Sequence, residues 1–169
     1  AFHHWTRHLQ SGINYEVPFE PKKSSAETFT SGNKTVTIDP EWNPKNDPAT
    51  WQHLVTHTIG YGAKASSWTD TGQNPRFNST ATGFTGGMYG DGFTEAILGI
   101  RNWVDPTTAN AEDNEDDVRP EELWHAAINS RGKFFPVKTG ADLEKAFDEI
   151  FSSIVADNTS PLTSFTSAS

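Results

Sequence analysis

The sequence predicts an α/β fold in which parallel strands are joined by crossover helices. The segment 121–137, EELWHAAINSRGKFFPV, passes from a helical pattern through Gly132 straight into paired aromatic residues, as a chain does on leaving a helix for a buried strand. The segment 51–62, WQHLVTHTIGYG, is dense in β-forming residues and closes with two glycines, which favours a largely buried strand. An amphipathic helical pattern after 137 completes the alternation.

Composition limits the kinds of partner that this protein can have. The 169 residues have the length of one domain, but only 34% are hydrophobic, and 13 Gly with 10 Pro indicate long loops around a modest core. A net charge of -9 disfavours contact with nucleic acid or anionic lipid. The chain has no Cys, and no apolar run approaches the length of a membrane span. We therefore expect neither nucleic-acid binding nor membrane insertion.

The N-terminal half is predicted to consist mainly of loops. Its first ten residues resemble the interior of a helix, and 13–50 is a surface excursion rich in Pro, Ser, Thr and Asn. Within that excursion at most one short strand is expected, at 34–38. After the strand of 51–62, the segment 63–92 is again loop, because Gly, Ser, Thr and Asn outnumber residues that could pack.

Helical patterns dominate the C-terminal half. A short helix is predicted over 93–103, followed by an acidic connector at 105–119. The acidic run of that connector lacks the ligand periodicity of an EF-hand, so a solvated connector is preferred to a Ca²⁺ site. Pro120 is predicted in the first turn of the next helix, which precedes a strand at 133–137.

The last helix has the clearest pattern in the chain. Thr139 and Asp142 have the spacing of a capping pair. The apolar positions after them recur at helical spacing: Leu143, Ala146, Phe147, Ile150, Phe151, Ile154 and Val155. The helix is expected to end near residue 157, and 158–169 has the composition of a flexible linker.

Two strands are too few for a parallel sheet, which needs neighbours on its edges and cover on both faces. Roughly three or more strands are therefore missing from the pattern. Either the poorly patterned loops at about 13–50, 63–92 and 105–119 supply these strands, or residues 1–157 are part of a larger domain, with 158–169 leading toward a following domain.

Three separated blocks, in the same order, resemble a known family. WNPKNDPATWQHLVTHTIGYG, GGMY and ELWHAAINSRGKFFPVKTGADLEKAFDEI resemble the von Willebrand factor A-like region of the PilC/PilY group, large proteins associated with type IV pilus biogenesis and tip adhesion. The resemblance covers roughly half of the chain directly. It implies a von Willebrand A-like, Rossmann-like parallel sheet with helices on both faces, of which this chain would be the C-terminal part.

The resemblance also assigns structural roles to individual residues. Those that match the family's motifs are Trp51, Gln52, His53, Gly60, Gly62, Trp124, His125, Asn129, Arg131 and Gly132. His125 is expected to hold its helix to a neighbouring loop. Asn129 and Arg131 are expected to satisfy carbonyls at the helix end, with Gly132 as the C-cap.

A divalent cation is implied only outside this segment. Domains of this kind often hold Mg²⁺ or Ca²⁺ through an Asp-x-Ser-x-Ser loop after the first strand, and no such loop occurs in the chain. The TDTG at 69–72 resembles that loop only superficially, because no strand-like run precedes it. We therefore expect no cofactor here and a metal-site half that lies N-terminal to Ala1.

The function implied by the resemblance is binding rather than chemistry. The family's roles are priming or stabilising pilus assembly with minor pilins, and adhesion to surfaces or host cells, by a protein exported to the cell surface and pilus tip. The loops at 13–50 and 63–92 would face the partner or receptor.

Two alternatives from other classes remain. One is a metal-dependent hydrolase using His4, His8, His53 or His57, although no HExxH pattern is present and hydrogen-bonded structural histidines are preferred. The other is a self-assembling structural or surface filament subunit, with which the many Thr, Asn and Gly residues are compatible.

Overall fold

The chain is a mixed α/β protein, as the sequence predicts. A computed structural model describes residues 1–10, 12, 25–62, 65, 89–100, 102–103 and 115–158. The elements in chain order are α1 (Phe2–Trp5), β1 (Glu27–Ser31), β2 (Lys34–Ile38), β3 (Thr58–Tyr61), α2 (Asp91–Ile97), α3 (Glu115–Asn129), β4 (Phe134–Val137) and α4 (Gly140–Asn158). In the described ranges the strands form two sheets, an antiparallel β1–β2 pair and a parallel β3–β4 pair.

Strands β3 and β4 are parallel, and the chain between them contains α2 and α3, so the predicted helical crossover is confirmed. Residue 58 pairs with 134 and residue 61 with 137. The ladder extends past both ends, because Thr58 N–H donates to Lys133 O at 2.9 Å and Gly62 N–H donates to Val137 O at 3.1 Å.

The strand predicted over 51–62 is shorter than expected. Only Thr58–Tyr61 forms the ladder, because the backbone before it is hydrogen-bonded to other parts of the chain. Gln52 O accepts from Leu9 N–H, and Leu54 N–H donates to His4 O, both at 3.2 Å. The backbone of residues 51–57 therefore binds the N-terminal segment instead of extending the strand.

The β3–β4 pair separates two apolar clusters because side chains alternate along a strand. Phe134 points to one face and joins a cluster with α3 and α2, which includes Phe93, Leu98, Trp124, Ala127 and Ile128. Phe135 and Val137 point to the other face and pack against Ala146 of α4. The pair therefore has a helix on each face.

A β-hairpin lies inside the segment predicted as a surface excursion with at most one strand. The strand predicted at 34–38 is confirmed as β2, but the prediction missed its partner β1. Strands β1 and β2 are joined by a two-residue loop whose first residue, Gly32, has a φ of +57°, as a type II′ turn requires. Thr28 and Thr37 are hydrogen-bonded across the hairpin at 2.9 Å. Phe29 is buried against Phe93, which attaches the hairpin to the core.

Helix α2 ends earlier than the predicted 93–103, because Gly99 adopts a left-handed φ of +62°. Its N–H donates to Ala96 O at 3.1 Å, and Ile100 N–H donates to Glu95 O at 2.9 Å, which is the Schellman arrangement that ends a helix. Trp103 therefore lies off the helix axis.

Helix α3 begins at Glu115, so the predicted connector of 105–119 is helical over its last five residues. Pro120 lies inside the helix rather than in its first turn. Its missing N–H removes one backbone hydrogen bond near the N-terminal end.

Helix α4 begins with the predicted capping pair. Asp142 Oδ2 accepts from Thr139 N–H at 2.8 Å, and Thr139 Oγ1 accepts from Asp142 N–H at 3.2 Å. These reciprocal bonds satisfy donors that the helix itself cannot. Four apolar side chains of this helix stay exposed: Phe147, Phe151, Ile154 and Val155.

Several predicted segments lie outside the described residues: most of the 63–92 loop with its TDTG, the start of the 105–119 connector, and the linker beyond 158. Among the residues that are described, none of the helices is long and apolar enough to cross a bilayer.

Candidate functional site

Five side chains from separate parts of the chain meet at the start of β3. They come from α1, the turn after β2, the segment leading into β3 and the turn after α3, and we call them the clasp: Trp5, Asp47, Trp51, His53 and Arg131. The clasp joins the N-terminal segment to the helix-to-strand junction. Three of its members were singled out from the sequence.

Hydrogen bonds connect four members of the clasp. Asp47 accepts from both neighbours, with Trp5 Nε1–H at 2.9 Å from Oδ1 and His53 Nε2–H at 3.0 Å from Oδ2. Trp51 Nε1–H donates to Trp5 O at 2.8 Å. His53 Nδ1–H donates to Trp51 O at 2.7 Å. Each indole N–H therefore has an acceptor, as buried Trp requires.

The geometry assigns a positive charge to His53. One ring nitrogen faces a backbone carbonyl oxygen and the other faces a carboxylate oxygen, and both partners can only accept. Both ring nitrogens must then carry a proton, so the imidazolium is the form that satisfies the site. In that form His53 has no free lone pair for a metal ion or for a catalytic proton.

The pKa shifts of the pair agree with this assignment. Burial would raise the pKa of Asp47, but hydrogen bonds from His53 and Trp5 outweigh it and hold that pKa below its usual value. Burial would lower the pKa of His53, but its bonds to Asp47 and to the Trp51 carbonyl outweigh it and raise that pKa. The charge of Arg131 partly opposes this rise.

Arg131 occupies the helix end in a different way from the prediction. It has a left-handed φ of 65°, and Gly132 does not. The N–H groups of residues 131 and 132 donate to Ile128 O and Ala127 O at 3.1 and 2.9 Å, and Ser130 Oγ donates to Ala126 O at 3.0 Å, so the last carbonyls are satisfied without the Arg131 side chain. The Arg131 side chain is thereby free to leave the helix.

The Arg131 guanidinium stacks on the indole of Trp5, with Cζ 3.9 Å from the ring centroid. Its Nη2–H also donates to Glu41 O at 3.3 Å. Burial lowers the pKa of Arg131, while the charge of Asp47 raises it. Arg131 therefore attaches α1 and the turn after β2 to the end of α3.

Two of the predicted glycines are required by close approach, and a third by its φ. A Cβ on Gly132 would lie 2.0 Å from Thr56 O, and one on Gly60 would lie 2.9 Å from the Ala65 side chain. Gly62 has a φ of +115° where the chain leaves β3. Gly132 is therefore a point of backbone contact with the approach to β3, and Arg131 holds the left-handed position.

Trp124 and His125 lie apart from the clasp. Trp124 is fully buried, and its ring centroid is 5.0 Å from that of Trp103. His125 stacks on Trp103 at 3.9 Å with an interplanar angle of 7°, and burial lowers the pKa of His125. Asn129 is the half-buried last residue of α3.

His57 and Ser130, two polar residues near the start of β3, are both hydrogen-bonded to the backbone. His57 Nδ1 accepts from Lys133 N–H at 3.1 Å, and Ser130 Oγ is fully buried and donates to backbone carbonyls including Ala126 O at 3.0 Å. Among the residues that the structure describes, no three His, Asp or Glu residues are grouped so that they could hold a metal ion.

Trp5 and Asp47 were missed from the sequence. Each lies far along the chain from Arg131, and neither belongs to a periodic pattern. The available signal was local: Asp47 is followed by Pro48 and stands six residues before His53, a spacing at which a turn can return a carboxylate to an imidazole.

Comparisons with known proteins identify relatives. The chain is 33% identical to the type IV pilus biogenesis factor PilY1 of Pseudomonas aeruginosa strain PAK over 155 residues, which are 91% of this chain and 11% of that protein. It is 35% identical to the PilY1 of strain UCBPP-PA14 over 161 residues, which are 95% of this chain and 12% of that protein. No family model and no solved structure matches the chain.

The similarity covers nearly all of this chain but only a small part of each relative. The matched residues amount to at least 91% of this chain. Over this stretch the chain belongs to the PilY1 family of type IV pilus biogenesis factors.

Proposed function

We propose that this chain is the C-terminal part of a von Willebrand A-like domain in an exported pilus-tip protein. In this proposal it supports type IV pilus assembly together with minor pilins, and it contributes to adhesion to surfaces or host cells by binding rather than by catalysis. The observation that carries the proposal is the identity of 32–35% to type IV pilus biogenesis factors over nearly the whole chain.

The β3–β4 pair supports the von Willebrand A-like part of the proposal. Two parallel strands joined through helices, with α3 and α4 on opposite faces, are the repeating unit of a Rossmann-like sheet. Additional strands of such a sheet would cover apolar side chains of α4 that are exposed here, such as Phe151 at 61% and Val155 at 62%.

The clasp supports binding in place of chemistry. Its histidine is held in the charged form between two acceptors, and its arginine is stacked on an indole. Side chains that are hydrogen-bonded and stacked on each other in this way fix the positions of the loops that carry them. Loops that are fixed on a rigid scaffold are the usual carriers of recognition, and those at 13–50 and 63–92 would take this part.

A chimera tests the assembly role. In Pseudomonas aeruginosa cells that lack their own PilY1, the aligned stretch of the PAK protein is replaced by this chain, and sheared surface pili are counted and twitching motility is measured. We expect the chimera to restore pili. A chimera that is produced and exported at the level of native PilY1 but gives no surface pili would refute the proposal.

Two matched variants of the chimera separate scaffold from surface. Arg131→Ala removes the stack on Trp5 and should reduce piliation, whereas Glu144→Gln on the exposed side of α4 should not. Adhesion is measured as attachment per pilus after pili have been restored. Equal attachment per pilus with and without residues 13–24 would contradict a receptor-facing role for that part of the 13–50 loop.

A further inference from the structure

The ammonium of Lys45 lies among three aromatic rings and a carboxylate, at a place separate from the clasp. Its Nζ is 5.2 Å from the ring centroid of Phe29, 5.8 Å from that of Tyr89 and 5.9 Å from that of Phe93. Each distance is within the range at which a ring face attracts a cation. Nζ also forms an ion pair with Glu27. We call the three rings and Glu27 the ammonium cage.

The cage is held by contacts that do not involve Lys45. Phe93 is packed edge to face with Phe29 at 5.6 Å and with Tyr89 at 5.2 Å. The Tyr89 hydroxyl donates to a backbone carbonyl at 3.2 Å. The second carboxylate oxygen of Glu27 accepts from Asn43 Nδ2–H at 2.7 Å, and Asn43 is fully buried. Rings and carboxylate therefore keep their places without the lysine.

Lys45 can leave the cage without moving its loop. The loop is fixed by Asn43 Oδ1, which accepts from Lys45 N–H at 3.0 Å, and the ammonium takes no part in that bond. The side chain of Lys45 is 32% exposed and that of Glu27 is 35% exposed, and ion pairs in contact with water are weak. Phe29 and Phe93 are buried beneath the lysine, so rotation of the Lys45 side chain toward solvent would uncover the ring surface that its ammonium now covers.

We propose that the ammonium cage is a binding site for a methylated ammonium group, and that Lys45 closes it as a tethered ligand. A primary ammonium is strongly hydrated, whereas a trimethylammonium group spreads its charge over methyl groups that pack against ring faces. Three rings with one carboxylate suit such a ligand, because it is attracted by ring faces and by a counter-charge but has no N–H group to donate in a hydrogen bond. Its affinity is reduced by the fraction of molecules in which Lys45 occupies the cage.

Tetramethylammonium chloride is the probe, titrated into the complete 169-residue chain and into its Lys45→Ala variant, with sodium chloride as the ionic-strength control. Chemical shifts of the ring protons report occupancy. We expect saturable binding to Lys45→Ala that is at least about tenfold tighter than binding to the unaltered chain. A folded Lys45→Ala protein without saturable shifts would overturn the proposal.

Two variants test the chemistry of the cage. Lys45→Met refills it with an uncharged chain of similar length and should bind more weakly than Lys45→Ala; equal affinity in the two variants would also overturn the proposal. Glu27→Gln, combined with Lys45→Ala, should weaken binding about tenfold if the counter-charge matters as inferred. Retained near-ultraviolet circular dichroism establishes folding.

The source of the ligand is distinguished by titrating phosphocholine and a trimethyllysine peptide into Lys45→Ala. Binding of either at least as tightly as tetramethylammonium supports the proposal and names the source, and failure of both refutes it. If Lys45→Ala does not fold, the proposal is tested on the unaltered chain instead. Tetramethylammonium must then move the side-chain proton shifts of Lys45 toward those of an exposed lysine, and unchanged shifts refute the proposal.

Discussion

Replacement of Gly132 by alanine should destabilise the protein strongly, because the chain entering β3 passes directly over this glycine. A Cβ on Gly132 would lie 2.0 Å from the carbonyl oxygen of Thr56 and 2.6 Å from its carbonyl carbon. The φ of Gly132 is outside the left-handed region, so alanine can adopt the backbone conformation and the cost is steric. Contact at ordinary van der Waals distance requires the two backbones to separate by more than about 1 Å.

That separation would disrupt the hydrogen bonds beside the contact. Thr56 N–H donates to Ser130 Oγ at 3.0 Å, and Thr58 N–H donates to Lys133 O at 2.9 Å. Each bond contributes about 0.5–1.5 kcal/mol, and overpacking of a well-filled site costs about 1–3 kcal/mol. We therefore expect Gly132→Ala to lower the free energy of unfolding by about 4 kcal/mol, a large share of the stability of an ordinary domain.

Urea denaturation measures this loss, and Gly140→Ala is the matched control. A Cβ on Gly140 meets nothing within 4 Å, so its replacement should leave the free energy of unfolding within about 1 kcal/mol of the unaltered chain. If Gly132→Ala were as stable as the control, with an unchanged dependence on urea, the proposed backbone contact at Thr56 would be wrong.

Substitutions at three further positions test the clasp and the helix ends. Arg131→Gly should be about 1 kcal/mol more stable than Arg131→Ala in thermal denaturation, because both lose the guanidinium contacts but only alanine keeps a side chain at a left-handed φ. Thr139→Ala should cost about 1 kcal/mol in urea denaturation through loss of the N-cap, while Thr139→Ser should not. Because the pKa of His53 is raised in the folded protein, its stabilisation is complete below about pH 6.5 and is lost as the pH rises through the folded pKa. Because the pKa of Asp47 is lowered, its stabilisation is complete above about pH 4 and is lost as the pH falls through the folded pKa. The stability advantage over His53→Gln should therefore be greatest between those two values, and parallel pH profiles for the two proteins would contradict the assignment.

Features that depend on neighbouring residues were predictable from the sequence. The capping pair of Thr139 and Asp142 was read from its spacing and is present in the structure. Strand β4 and helix α4 were found because paired aromatic residues and a helical period are contained within one short segment. The parallel pairing followed from the order of those elements along the chain.

Features that depend on distant residues were not predictable in the same way. In the hairpin, β2 (KTVTI) alternates polar and apolar residues and was predicted, whereas β1 (ETFTS) has Phe29 as its one apolar residue and gave no strand signal of its own. The clasp joins Trp5 to Asp47 across 42 positions and to Arg131 across a still longer separation. The left-handed position was assigned to Gly132 because glycine usually takes it. In the structure Arg131 has the left-handed φ, and Gly132 is needed next to it because the backbone of Thr56 leaves no room for a Cβ.

The proline in β4 affects on which side of the β3–β4 pair another strand can be added. Along a parallel strand, successive residues turn their backbone groups to opposite neighbours. The carbonyls of Lys133 and Val137 accept from β3, so Pro136, which stands in register with Gly60, turns its backbone to the outer edge. That edge lacks a donor at its centre and discourages strand addition. We therefore expect a further strand to pair more readily with β3 than with the far side of β4.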